Sequence, residues 1–145
     1  MRFLISLFCL AFSAVTMAGT SSHSGKFVDD DDRYTFDFSL AAAGPLLVET
    51  QSFAAGGFAP VLSLFDASGQ LLQLDAGSSH TCIGGGSFCW DAHFALDLTA
   101  GAYRLVLTQD GNLPLGPTLA DGFAMTGRPD YTGLDFLGQP DLRFI

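Results

Sequence analysis

Basic residues are scarce in this chain. Six lysines and arginines face fifteen aspartates and glutamates, a formal net charge of −9. Nucleic acid requires a basic footprint against its phosphates, so the balance excludes it as a partner. It also disfavours anionic membrane surfaces. Glutamate is nearly absent: every acid but Glu49 is aspartate, which prefers turns, strand ends and oxygen-ligand sites to helix interiors. Histidine and cysteine number three each, tryptophan one. Neither Gly-x-Ser-x-Gly nor His-Glu-x-x-His occurs, so two well-marked hydrolase chemistries have no signature here. No stretch keeps a helical period over three turns. None after the amino terminus approaches the roughly 18–20 apolar residues of a membrane span.

The first eighteen residues read as a cleaved secretory signal: Met1-Arg2, an apolar run from Phe3 to Phe12, then Thr16-Met17-Ala18, with small residues Thr16 and Ala18 at the two positions signal peptidase reads. Cys9 lies in that run, but Leu7 and Phe8 are too bulky for a lipobox. The expectation is a secreted or periplasmic product: a flexible polar tail over 19–24, then one domain over 25–145. A domain of this length buries roughly two thirds of its surface and holds a core unaided. Cys82 and Cys89 remain as an even pair in an exported chain, the setting for a disulfide.

What the chain does have is alternation. Tyr34, Phe36, Phe38 and Leu40 share one face of a strand over Arg33–Leu40, with Arg33, Thr35, Asp37 and Ser39 on the other. Further strands are expected over Gly25–Val28, Leu46–Gln51, Pro60–Phe65, Gln70–Leu74, His93–Leu98, Ala102–Thr108 and Asp141–Ile145. Asp66-Ala67-Ser68-Gly69 fits a type I turn and makes a hairpin with two largely buried arms. Thr99-Ala100-Gly101 predicts a second hairpin. Gln109–Thr132 has no sustained period, and a loop this long is functional or wrapped over an edge. Seven or eight short strands with regular turns predict an all-β, antiparallel β-sandwich of jelly-roll type.

The densest chemistry is Asp29-Asp30-Asp31-Asp32, immediately before the first long strand. Calcium takes six to eight oxygens, mostly carboxylates and backbone carbonyls, from flexible loops. The glycine and distal glutamate of an EF-hand are missing, so a site needs carboxylates from elsewhere, and Asp75 and Asp91 are the best outside donors. The competing reading is a solvated, self-repelling run that blocks edge pairing. Around the cysteines, His80, Cys82, Cys89 and His93 offer tetrahedral zinc as a rival to the disulfide, but the spacing fits no finger. A disulfide closing this loop contributes about 2.5 kcal/mol in the chain-entropy account. Phe88, Trp90 and Tyr131 are aromatics able to stack on sugar rings or to pack beneath loops. Asp97 and Asp121 are candidates for a small accessory hydrolase, against the plainer reading of turn and surface residues.

Several segments together resemble a bacterial family of secreted β-sandwich domains related to the pre-peptidase C-terminal (PPC) domain. They are Phe27–Asp31 leading into Tyr34–Phe38, Phe58–Asp66 with Gly69, Leu98–Tyr103 followed by Leu107–Gln109, and Leu119–Phe123. The resemblance spans nearly all of 25–145. It implies a jelly-roll-like sandwich, export and no established catalysis; some relatives bind calcium near the acidic entry to the first long strand, which favours Asp29–Asp32, and others bind collagen or polysaccharide, which no residue here carries over. Members often end in a Pro-Glu-Pro sorting segment, and this chain ends at Phe144-Ile145. The expected protein is therefore a soluble, non-catalytic adhesive, matrix or carbohydrate-contacting module, with a purely structural surface protein as the alternative.

Overall fold

Strands form where the side chains alternate. The computed structural model describes residues 19–77 and 90–130. It is all-β, with strands β1 (Tyr34–Leu40), β2 (Gly44–Glu49), β3 (Pro60–Asp66), β4 (Leu71–Asp75), β5 (His93–Leu98) and β6 (Gly101–Gln109). Among the described residues a single 3₁₀ turn occupies Leu119–Asp121. The strands make two antiparallel sheets, one of four strands in the order β1-β6-β3-β4 and one of two, β2-β5. No helix among the described residues is long and apolar enough to cross a membrane.

One apolar cluster draws on both sheets. Leu62, Leu64, Tyr103, Leu105 and Leu107 from the larger sheet join Phe94 and Leu98 from the smaller, with Tyr34, Phe36, Phe38, Leu46, Val48 and Leu96 packed around them. These are the period-two positions of their strands, so alternation selects the inward face. Phe27 and Phe58 complete the cluster, their rings stacked with centroids 4.7 Å apart. Burying a phenylalanine side chain fully contributes roughly 1.5–3 kcal/mol.

The β3–β4 connection is the hairpin its residues predict. Gly69 N–H donates to Asp66 O at 2.9 Å, and Gly69 takes φ +82°, the left-handed conformation glycine adopts without strain. The arms differ, however. β3 is buried on both faces from Pro60 to Phe65, whereas Leu72, Gln73 and Leu74 of β4 are exposed, because β4 is the outermost strand of its sheet.

The expected β5–β6 hairpin does not form. β6 pairs with β1 on one side and β3 on the other, so it has no free edge for β5, which pairs with β2. Thr99-Ala100 instead carries the chain from one sheet to the other. Tyr103 fixes this corner by donating its hydroxyl to Thr99 O at 2.8 Å.

Gly25–Val28 is not a strand; it carries a single bridge residue, Lys26, and contributes Phe27 to the core. The tail before it is not free: the His23 ring meets Phe36 edge-on, centroids 4.2 Å apart. Six strands lie among the described residues, against the seven or eight expected. The signal segment, the loop with Cys82 and Cys89, and the expected Asp141–Ile145 strand lie outside them.

The segment after β6 wraps a sheet face and also meets the β4 edge, where Thr118 bridges Gln70. Phe123 and Leu119 from it pack with Phe65, Val106 and Leu71 into a second, smaller apolar cluster. This strap explains why β3 and β6 lack exposed positions over Val61–Phe65 and Leu105–Gln109. Leu71 N–H donates to Pro117 O and Leu119 N–H to Gly69 O, both at 2.8 Å. Arg33 caps the arrangement, its guanidinium 5.4 Å from the Phe123 ring centre.

Candidate functional site

The aspartate run folds as a turn. Asp32 N–H donates to Asp29 O at 3.2 Å, and this bend sends neighbouring carboxylates in different directions. Asp30 turns inward and is 1% exposed. Its Oδ1 accepts from Gln109 Nε2 at 3.2 Å, and its backbone oxygen accepts from Asn112 Nδ2 at 3.1 Å. Asn112, fully buried, also accepts Met125 N–H at Oδ1 (2.9 Å). Asp30 therefore anchors the turn to the end of β6 and to the strap.

Asp29, Asp31 and Asp32 remain outside, half-buried. One carboxylate oxygen from each lies within 4.8 Å of the others, the only such acidic or ligand-type cluster among the described residues. Asp32 Oδ2 accepts the backbone N–H groups of Val28 and Asp29. Asp31 Oδ2 accepts Gly127 N–H at 2.9 Å, a tie across to the strap. Each of those two carboxylates gives one oxygen to the backbone and keeps a second. Oxygens bound to one calcium at 2.3–2.6 Å lie up to about 5 Å apart, so the observed spacing fits a shared hard cation. Backbone carbonyls and water would complete its shell.

Asp75 and Asp91 are not in that cluster. Asp75 Oδ2 accepts His93 N–H at 2.7 Å and Oδ1 accepts Gly77 N–H at 3.1 Å, joining the end of β4 to the start of β5. Asp91 is 3% exposed. Its Oδ1 accepts Thr50 Oγ1–H at 3.1 Å and Phe53 N–H at 2.9 Å, and its Oδ2 accepts Ala54 N–H at 2.8 Å. Both hold chain segments together; among the described residues, the structure gathers only Asp29, Asp31 and Asp32 around one point.

The other sequence candidates are placed as follows. Asp121 accepts Thr118 N–H and Oγ1–H at 2.8 Å each, and the Thr118 hydroxyl holds its carboxyl below the usual range. Asp97 is exposed on β5, and Trp90 is half-buried. His80, Cys82, Phe88, Cys89 and Tyr131 lie outside the described residues.

Sequence reasoning missed Gln109 and Asn112, which hold Asp30 from 79 and 82 positions away. The available signal was the Asp110-Gly111 turn directly after a long strand, which brings Asn112 back over β6; Gly111 has φ +83°. Also missed was a mixed-charge cleft on the outer face of the larger sheet. There Arg104 Nε and Nη2 donate to Asp37 Oδ1 and Oδ2 at 2.6 and 2.8 Å. Arg104 holds the Asp37 carboxyl below its ordinary range, and is itself raised by that bond. Nearby, Asp66 Oδ1 accepts Ser68 Oγ–H, Ser68 N–H and Gln70 N–H at 2.6–2.9 Å. The Ser68 hydroxyl is the main reason its pKa is lowered.

In comparisons with known proteins, no family model, no curated protein and no solved structure matches the chain.

Proposed function

We propose that this chain is an exported, non-catalytic module of the β-sandwich, jelly-roll type, similar to PPC domains, that is stabilised by calcium and contacts polysaccharide or other surface components. The observation that carries the calcium reading is the convergence of Asp29, Asp31 and Asp32 to within 4.8 Å. Three carboxylates at that spacing repel one another, and a hard cation between them removes the repulsion and adds coordination energy. The net charge of −9 favours cation capture further.

Coordination at this turn has a structural consequence. Asp31 also holds Gly127 of the strap, and Asp30 holds Asn112. Fixing the turn therefore fixes the strap that covers the outer sheet face. A cation here works as a staple between the start and the end of the described domain.

Thermal melting tests the reading. Extracellular calcium modules have Kd near 10⁻⁴–10⁻³ M. At 5 mM calcium and a Kd of about 0.1 mM, linkage gives about 2.3 kcal/mol, or roughly 8 °C in Tm for a domain of this size. Magnesium at the same concentration should give less. Asp31→Asn and Asp32→Asn should remove the calcium increment whatever they do to the baseline. Superimposable curves in calcium and in chelator would sink the calcium reading.

A further inference from the structure

The strap carries a single sulfur. Of the chain's three methionines, Met1 and Met17 lie in the first eighteen residues, so Met125 is the one thioether of the domain. It is half-buried, between the exposed Ala124 and Thr126. Its end lies on bare backbone: a Cβ added at Gly111 would stand 2.9 Å from Met125 Cε. Gly111, at φ +83°, belongs to the turn that brings the chain back over β6, and a residue without a side chain leaves this room. A flexible, polarisable thioether suits so narrow a gap.

Met125 is also a junction of hydrogen bonds. Its N–H donates to Asn112 Oδ1 at 2.9 Å, and its carbonyl accepts Arg128 N–H at 3.0 Å. Asn112 in turn holds Asp30 O through Nδ2, and Gly127, two positions on, holds Asp31 Oδ2. Both of these ties between the strap and the aspartate turn therefore run through a bonding partner or a near neighbour of Met125.

We propose that Met125 is an oxidation-sensitive latch: hydrogen peroxide converts its thioether to the sulfoxide, and the strap releases the aspartate turn. The sulfur lone pair attacks one peroxide oxygen. An S–O bond forms, the O–O bond breaks, and the proton on the transferred oxygen passes to the departing hydroxide, leaving sulfoxide and water. Sulfur loses two electrons and the peroxide gains them. The step is reversible, because methionine sulfoxide reductases return the thioether.

The consequence follows from where the group sits. Sulfoxidation turns a flexible apolar side chain into a polar, chiral one. An added oxygen beside a contact as close as that with Gly111 displaces the arm, and a polar group in a half-buried seam is unfavourable without a partner. The Met125 and Gly127 amides move with the arm, and Asn112 and Asp31 lose the donors that tie them to it.

The test is the chain over 19–145, kept in chelator, treated with hydrogen peroxide and compared with Met125→Leu and Met125→Gln. Peptide mass spectrometry should place one oxygen on Met125, and Tm should fall by roughly 5 °C. Hydrogen exchange at the Met125 and Gly127 amides should quicken at least about tenfold, with Leu105 in the centre of β6 unchanged. A methionine sulfoxide reductase should reverse all three effects. Met125→Leu keeps the packing volume and should show none of them. Met125→Gln, polar from the outset, should show the lower Tm and the fast exchange untreated. An oxidised Met125 with Tm and exchange unchanged overturns the latch. So does a Met125 that stays reduced while a free methionine peptide in the same solution is oxidised. An equal drop in Met125→Leu overturns it too, and places the damage at Cys82, Cys89 or Trp90. With every sample in chelator, each outcome is independent of the calcium reading.

Discussion

Removing the carboxylate of Asp91 tests whether this residue is scaffold or ligand. It is 3% exposed and accepts from Thr50 Oγ1, Phe53 N–H and Ala54 N–H. Asp91→Ala leaves those donors without this acceptor. Thr50 retains its bonds with Ala92, at 3.2 Å to the carbonyl and 2.8 Å from the amide, so its loss is small. Ala54 is exposed and regains water, while Phe53 is half-buried and does so incompletely. A hydrogen bond to a charged group contributes about 1.5–3 kcal/mol, and two unequal losses give a net cost of about 3 kcal/mol. Asp91→Asn keeps one acceptor oxygen but turns an amide toward a donor, for about 2 kcal/mol. At roughly 4 °C per kcal/mol, Tm falls by about 12 °C and 8 °C respectively. Differential scanning calorimetry in 5 mM calcium and in chelator is the assay, and the drop should be the same in both. A drop below about 3 °C would show that the turn at 50–54 does not depend on this carboxylate. A drop confined to the calcium sample would make Asp91 a ligand and refute the scaffold assignment.

Ser63→Ala should be neutral or stabilising by up to about 1 kcal/mol, because burying a hydroxyl without a partner is unfavourable. Ser63 is fully buried and its Oγ has no hydrogen-bond partner among the described residues; a loss of more than about 1 kcal/mol in urea denaturation would contradict this. Asp37, Asp66 and Asp121 all have folded-state pKa values below the ordinary 3.8. Their contribution to stability is complete above about pH 5 and disappears as pH falls through the depressed values. Tm should therefore be insensitive to these groups from pH 7 to 5, and the deficit of Asp66→Asn at pH 7 should vanish in strong acid. A deficit unchanged at pH 2 would mean that the charge of Asp66 is not what its turn uses.

The inward face of the fold was legible because alternation is a local property. Tyr34 to Leu40, Phe94 to Leu98 and Tyr103 to Leu107 all bury the positions their period marks. Pairing is not local. Leu98-Thr99-Ala100-Gly101-Ala102 reads as a hairpin from either side, yet β6 has both edges occupied by β1 and β3. Continuous burial was the missed clue. The alternation of buried and exposed positions stops in the second half of β6, where Leu105, Val106, Leu107, Thr108 and Gln109 are all buried. A strand buried on both faces is central and covered, and it needs two neighbours and a strap.

The aspartate run was legible as charge but not as geometry. Period-two reasoning from β1 cannot be carried back through a turn closed by Asp32 N–H and Asp29 O. That turn divides four identical residues into two roles. Asp30 enters the interior because Gln109 and Asn112 satisfy it there, and both lie some eighty positions away, beyond the reach of any local pattern. Backbone donors then place the others: Val28 and Asp29 N–H hold Asp32, Gly127 N–H holds Asp31, and one oxygen of each lies within 4.8 Å of one from Asp29. The buried aspartate thus fixes the turn on which the three half-buried ones are gathered, a division of roles that no local pattern marks.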